Sequence, residues 1–254
     1  MNKIFTHSGK AHFDEVCAIA LLRYEYPEMR EYRIERVREV PSDSDLGDWW
    51  IDIGQEYDDG QKFDHHQDAG FPASFQLVAA KLGYDTLLSK HTGWFNIASE
   101  LDTNLFGALR YFEVPKEKVT ELLSALGPLQ NALLKRFEAD PNDGVFWTIV
   151  DEWMSSTIER AMRLDEKIQA VEVDITTVVC DGFSIGMIAL DLPRGDQDNI
   201  SISHHMCEKY NANVVITPDD RGDGWSLFRV NDHPRVDFSR LKDNENIVFT
   251  HPKG

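Results

Sequence analysis

The chain has 254 residues, with 26 lysines and arginines against 44 aspartates and glutamates, for a formal charge of -18. So acidic a surface repels long polyanions and excludes an extended face for duplex DNA. The 42% hydrophobic fraction and six tryptophans exclude global disorder and are enough for two domains of ordinary size.

Cys17, Cys180 and Cys207 are widely separated, without a CxxC pair, and read as free thiols in a reducing cytosol. The opening Met1-Asn2-Lys3-Ile4-Phe5 is too short for the apolar region of a signal peptide. No run approaches the roughly 18 apolar residues of a membrane span. A soluble, cytoplasmic protein without a membrane partner is expected.

In chain order, Lys3 to Thr6 reads as a first strand delivering His7. The loop Ser8-Gly9-Lys10 leads to a helix starting near His12, whose Val16, Ala18, Ile19, Leu21 and Leu22 form a broad apolar face. His12 and Asp14 then lie in or just before its first turn, where the helix dipole favours an ionised Asp14. Glu31 to Val40 alternates like an edge strand. Trp49 to Ile53 is a short apolar strand interrupted by Asp52, a carboxylate that needs a partner if buried. Asp58-Asp59-Gly60 turns the chain into Phe63-Asp64-His65-His66. Helical patterns follow at Ser74 to Leu82, Asn96 to Arg110 and Pro115 to Arg136, and His91 reads as a loop residue.

Asp140-Pro141-Asn142-Asp143-Gly144 breaks the pattern, and a long helix runs from about Phe146 to Val171. Strands are then expected at Val173 to Val179 and Phe183 to Leu190 around an Asp181-Gly182 turn. A short helix follows at Ser201 to Tyr210, with further strands at Asn213 to Thr217, Trp225 to Val230 and Ile247 to Thr250. The fold class expected is α/β: a mainly parallel N-terminal sheet flanked by helices, joined by a long helix to a smaller α+β domain. Its boundaries fall at 1–145 for the first domain, 146–172 for the connector and 173–254 for the second.

His7, Asp52 and His65 stand at the carboxyl ends of expected parallel strands, where such sheets bind ligands. With His12, Asp14 and Asp102 they form a candidate metal-ligand set. Manganese, iron and magnesium all accept carboxylates, while imidazoles turn the preference from magnesium toward transition metals. Three carboxylates against two dications leave about one positive charge for a hydroxide and a phosphate oxygen, with Asp52 as the bridging candidate. His66 is then free to contact phosphate or relay a proton.

The run His7-xxxx-His12-x-Asp14-Glu15, then Asp52-x-Gly54, then Phe63-Asp64-His65-His66-Gln67 resembles the DHH phosphoesterase superfamily. Within it the chain most resembles the Myg-type (melanocyte proliferating gene) exonuclease family, strongly over residues 4–67. Weaker likenesses are Ser74 to Gly83, Glu100-Leu101-Asp102, Trp225 to Val230 and Ser239-Arg240-Leu241. The resemblance implies a DHH-like catalytic domain holding two manganese-like ions, with magnesium or iron as alternatives. His7, His12 and Asp52 would hold one ion, and Asp14, Asp52, His65 and Asp102 the other. Catalysis would fall to Asp52, to Asp64 as support for its neighbours, and to His66 facing the substrate. The implied activity is 3'-5' exonuclease cleavage. The second domain would grip the nucleotide or its phosphate with basic side chains. The family continues past the present Gly254 through a glycine-rich phosphate-contacting loop.

Candidate phosphate contacts are Lys10 beside His7, then Arg229 and Arg240, and after them Arg221, His251 and Lys253. Asp85 and Glu100 compete with Asp102 for the last ligand position. His204-His205 lacks an aspartate at metal spacing, and Trp147 and Trp153 read as packing residues. The leading expectation is a metal-dependent phosphodiesterase trimming RNA or short oligonucleotides. A small-molecule phosphatase or pyrophosphatase and a non-catalytic nucleotide- or metal-sensing module are the alternatives. The oligomeric state is open, with a homodimer among the options.

Overall fold

The structure is a computed structural model that describes residues 2–104, 129–180, 183–219 and 222–247. It divides into two compact units, Met1–Met162 and Arg163–Gly254.

The first unit is built on a parallel sheet in the order β2-β1-β3-β4, with β1 Lys3–His7, β2 Arg33–Val37, β3 Trp49–Ile51 and β4 Lys62–Phe63. Ile4, Phe5 and Thr6 are all buried, as expected of a strand with both faces covered. The outer edge of β2 is closed by Asn142. Its Oδ1 accepts the Ile34 N–H at 2.9 Å and its Nδ2 donates to the Ile34 carbonyl at 3.0 Å, as a neighbouring strand would.

Helix α1, Phe13–Glu25, is buried from Asp14 to Arg23, which explains why its apolar residues do not confine themselves to one stripe. It packs in one core with α2, Ser74–Leu82, which stops at Gly83 in the left-handed region (φ 79°). Two further helices follow, α3 Asp85–His91 and α4 Phe95–Thr103. His91 is therefore the last residue of a helix rather than a loop residue; a helix this short leaves too little periodicity to read. Of the patterns at 96–110 and 115–136, the parts at 105–128 lie outside the described residues, and residues 129–139 are helical.

Asp143 opens the long helix α5, Gly144–Ala170, by accepting the Phe146 N–H on Oδ1 at 2.8 Å. Arg23 ties this helix to α1. Its Nε and Nη2 donate to the two Asp151 carboxylate oxygens at 2.9 and 2.8 Å, and its guanidinium lies 4.5 Å over Trp147.

The second unit carries a sheet in the order β5-β6-β7-β8, with β5 Val173–Cys180, β6 Phe183–Leu190, β7 Val214–Pro218 and β8 Trp225–Arg229. The β5/β6 and β7/β8 pairs are antiparallel and β6/β7 is parallel. Helix α6, Asn199–Lys209, sets Ile202, Met206 and Cys207 against Ile188, Leu190 and Val215, joined by Leu164 and Ile168. Ile247 is not in a strand, and both residues 248–250 and the 181–182 turn lie outside the described residues. Among the described residues no helix is long and apolar enough to cross a membrane.

Candidate metal centre

Three parallel strands deliver three of the candidate ligands to one edge of the sheet. β1 ends on His7, β3 ends one residue before Asp52, and β4 ends two residues before His65. Asp52 is not inside the strand, as its sequence neighbours suggest, but just past it at φ 56°. A non-glycine residue in the left-handed region is strained, and such strain collects at functional sites. Its N–H still donates to the Phe63 carbonyl at 2.9 Å, so the ladder is kept while the side chain is re-aimed.

Asp14 and Glu15, side by side in the first turn of α1, are both buried and point to different partners. Asp14 accepts the Ser74 N–H at 3.0 Å and the Phe75 N–H at 2.6 Å, the first amides of α2. The donors that meet it thus belong to α2, not to its own helix. Glu15 accepts the His12 N–H on both oxygens at 2.9 Å, closing a capping box at the start of α1.

The side chains converge around Asp52. His7 Nε2 lies 3.3 Å from Asp52 Oδ2 and 3.5 Å from Glu15 Oε1. His65 Nε2 lies 3.3 Å from Asp52 Oδ1, 3.3 Å from Asp102 Oδ2 and 3.6 Å from Asp14 Oδ2. These approaches are not aligned as hydrogen bonds: His7 Nε2, His65 Nε2 and Asp52 Oδ2 are all buried without a partner. Leaving three such atoms unpaired is costly. An ion that takes lone pairs from all three at once satisfies them, so the donor set fits a divalent cation with mixed nitrogen and oxygen ligands. Ligand atoms within 4.8 Å of one another form three groups: His7, His12, Glu15 and Asp52; Asp14, His65 and Asp102; Asp52, His65 and His66.

The electrostatics without an ion are correspondingly extreme. Asp52 and Glu15 beside His7 push its imidazole up to about 10. Burial works against a charged His65, but Asp102 and Asp52 overcome it and raise the group to about 10. Burial, reinforced by Asp52 and Asp102, drives the Asp14 carboxyl well above its ordinary range despite the two amides of α2. The own-helix dipole expected to keep Asp14 ionised is therefore outweighed. Burial pushes Asp52 in the same direction, but His65 and His7 reverse the effect and hold it below the usual carboxylate range.

Residues 3–159 match the MYG1 exonuclease family model, described as an uncharacterised protein family (UPF0160). The chain belongs to this family. A segment of 123 residues is 34% identical to the MYG1 protein YER156C of Saccharomyces cerevisiae, covering 47% of this chain and 36% of that protein. The MYG1 exonuclease of Rattus norvegicus is 44% identical over 106 residues, 41% of this chain and 27% of its own length. That of Bos taurus is 46% identical over 66 residues, 26% and 17%. The matches thus span no more than 36% of these relatives.

The family match contains every clustered side chain. Asp102, near the end of α4, lies 3.3 Å from His65, whereas Asp85 accepts from Gln76 Nε2 at 3.0 Å. Glu15 joins the His7 group, which the expected ligand set omits; its place beside Asp14 at a helix start was the available signal. Asp64 is buried and accepts the Gln55 N–H at 2.6 Å and the His66 N–H at 3.0 Å. His66 Nδ1 is 2.6 Å from the same Asp64 oxygen, and its ring is half-exposed. Lys10 is exposed in the loop after His7.

In the second unit Arg229 donates to the Val236 carbonyl at 2.9 Å and to Asp232 at 3.0 Å, and Arg240 is exposed in the turn Ser239–Leu241. Arg221, His251 and Lys253 lie outside the described residues. His204 is exposed on α6. Trp147 is buried and donates its Nε1–H to the Pro141 carbonyl at 2.8 Å.

Proposed function

We propose that this chain is a divalent-metal-dependent phosphodiesterase that removes nucleotides from one end of RNA or short oligonucleotides. The observation that carries the reading is the convergence of His7 Nε2, His65 Nε2 and Asp52 Oδ2, buried and without a hydrogen-bond partner. The printed name of several relatives, MYG1 exonuclease, supports the nuclease class.

His7, His12 and Asp52 are assigned to one ion, with Glu15 in reach, and Asp14, His65, Asp102 and the shared Asp52 to a second. Manganese suits this mixture of imidazole and carboxylate better than magnesium. Bound divalent ions supply a water of lowered pKa and offset charge on the attacked phosphoryl group. The remaining work belongs to side chains. Asp64, itself fixed by the Gln55 amide, accepts from His66 Nδ1 and leaves the other ring nitrogen for the substrate. From there His66 can contact a phosphate oxygen or carry a proton to the leaving group. Lys10 offers a positive charge to the same phosphate. The acidic surface favours short substrates over long ones.

The test is incubation with manganese of short RNAs, short DNAs, cyclic dinucleotides and pyrophosphate, with strands labelled at either end. Stepwise release of mononucleotides from short RNA is expected, and the labelled end fixes the polarity, for which 3'-5' is the expectation. Full activity in chelator-stripped protein would overturn the reading. Cleavage of pyrophosphate alone would transfer the centre to small-molecule phosphatase chemistry.

A further inference from the structure

Two of the half-buried tryptophans have a setting unlike that of Trp147. Trp94, just before α4, and Trp153, on α5, lie with ring centroids 5.2 Å apart, and the Phe13 ring lies 5.6 Å from each. They border an open cavity of about 630 Å³, whose walls also include His91 and the exposed Glu152, Ser156 and Arg160. Trp147, by contrast, is closed in on all sides and has its indole N–H paired. Packing alone accounts for Trp147. Trp94 and Trp153 also pack against the core, but both line a space of ligand size.

The position of this cavity connects it to the metal centre. The contacts order α5 and α1 in opposite directions: Trp147 and Asp151 meet Arg23 in the last turn of α1, and Trp153 meets Phe13 at its first residue. The tryptophans therefore lie at the end of α1 that carries His12, Asp14 and Glu15. Helix α4 makes the same connection, since Trp94 precedes its first residue and Asp102 lies about two turns along it, roughly 12 Å away.

We infer that the Trp94–Trp153 cavity is a nucleobase subsite, in which a base of a single-stranded oligonucleotide stacks on the indoles while its backbone runs toward the metal centre. The inference rests on the phosphodiesterase reading for the identity of the ligand. It also answers a difficulty of that reading. A chain with 44 acidic against 26 basic residues gains little from long-range attraction of a strand. Stacking is sequence-tolerant and independent of net charge.

The experiment compares binding of a short phosphorothioate-linked oligoadenylate with that of its abasic counterpart of equal length, both with manganese present, by fluorescence anisotropy. The base-bearing strand is expected to bind roughly 10-fold tighter. Trp94→Ala removes that preference. Ser156→Leu, at an exposed helix position where folding is not at stake, narrows the cavity without adding a ring and weakens the preference too. Equal affinity of the two strands for the unsubstituted protein, or a preference that survives both substitutions, overturns the subsite. A base preference lowered in both variants, in a protein that hydrolyses none of the candidate substrates, upholds the subsite and discards the phosphodiesterase reading alone.

Discussion

The two units each bring acids and bases together, and they do so in opposite ways. In the second, Lys167 donates to Asp196 at 2.6 Å and to Asp198 at 2.8 Å, while Arg163 donates to Asp198 at 3.1 Å. In the first, nitrogens and oxygens of His7, His65, Asp14, Asp52 and Asp102 stand 3.3–3.6 Å apart without aligned hydrogen bonds. Opposite charges with nothing else to do collapse into short pairs, as the lysine network has. Charges held at a distance by strand ends, a strained backbone and helix amides leave room for a bridging cation. Proximity of His and Asp residues is thus a weaker sign of a ligand site than their failure to pair.

The largest effect that sharpens this contrast is expected from Asp52→Ala. It takes the shared carboxylate from both halves of the cluster and should cut manganese-dependent hydrolysis by on the order of 1,000-fold or more. The fold should be kept, as checked by circular dichroism; hydrolysis at the parent rate would break the comparison.

Next in size is a difference in pH response. With His7 and His65 raised to about 10 from an ordinary 6.5, their stabilisation of the metal-stripped protein is complete below pH 6.5 and lost as pH climbs through about 10. Its melting temperature should fall over that window. At pH 7.5, adding manganese should displace protons from His7 and His65, seen as a dependence of calorimetric heat on buffer ionisation. The lysine network behaves otherwise. Asp196 and Asp198 pull Lys167 up, Lys167 pulls Asp196 down, and Lys167 and Arg163 outweigh burial to hold Asp198 low. Its contribution is level across the same window and is lost only as pH falls through the carboxylate range or rises past that of lysine.

Lys167→Ala should destabilise the protein by about 1–2 kcal/mol in urea, a value reduced by the lysine's partial exposure. The smallest effect is expected from Arg240→Ala, at an exposed turn: within about 0.5 kcal/mol in stability. A rise in KM for short RNA without a change in kcat would show that Arg240 touches the substrate.

Much of the first unit could be read from residue order because local patterns and tertiary roles coincide there. The middle of β1, Ile4 to Thr6, is buried on both faces, and Ser74 to Leu82 has the expected helix bounds. What escaped depended on contacts between distant segments. Asp14 looks like a residue stabilised by its own helix, but its partners are the Ser74 and Phe75 amides, sixty residues on. Glu15, which accepts the His12 amide, joins the His7 group only through folding. Asp52 reads as part of the strand because the left-handed turn that lifts it out is imposed by neighbours, not by a glycine. Trp153 fits a packing role on α5, and only the cavity beside it adds a second one.

The two amides of α2 that hold Asp14 have a further consequence. An ion that draws on Asp14 is linked mechanically to the seating of α2, since the same carboxylate serves both. Loading the site should therefore slow hydrogen–deuterium exchange at Ser74 and Phe75, and loosening the start of α2 should speed escape of the ion. Exchange at these two backbone N–H groups would then report whether an ion is bound.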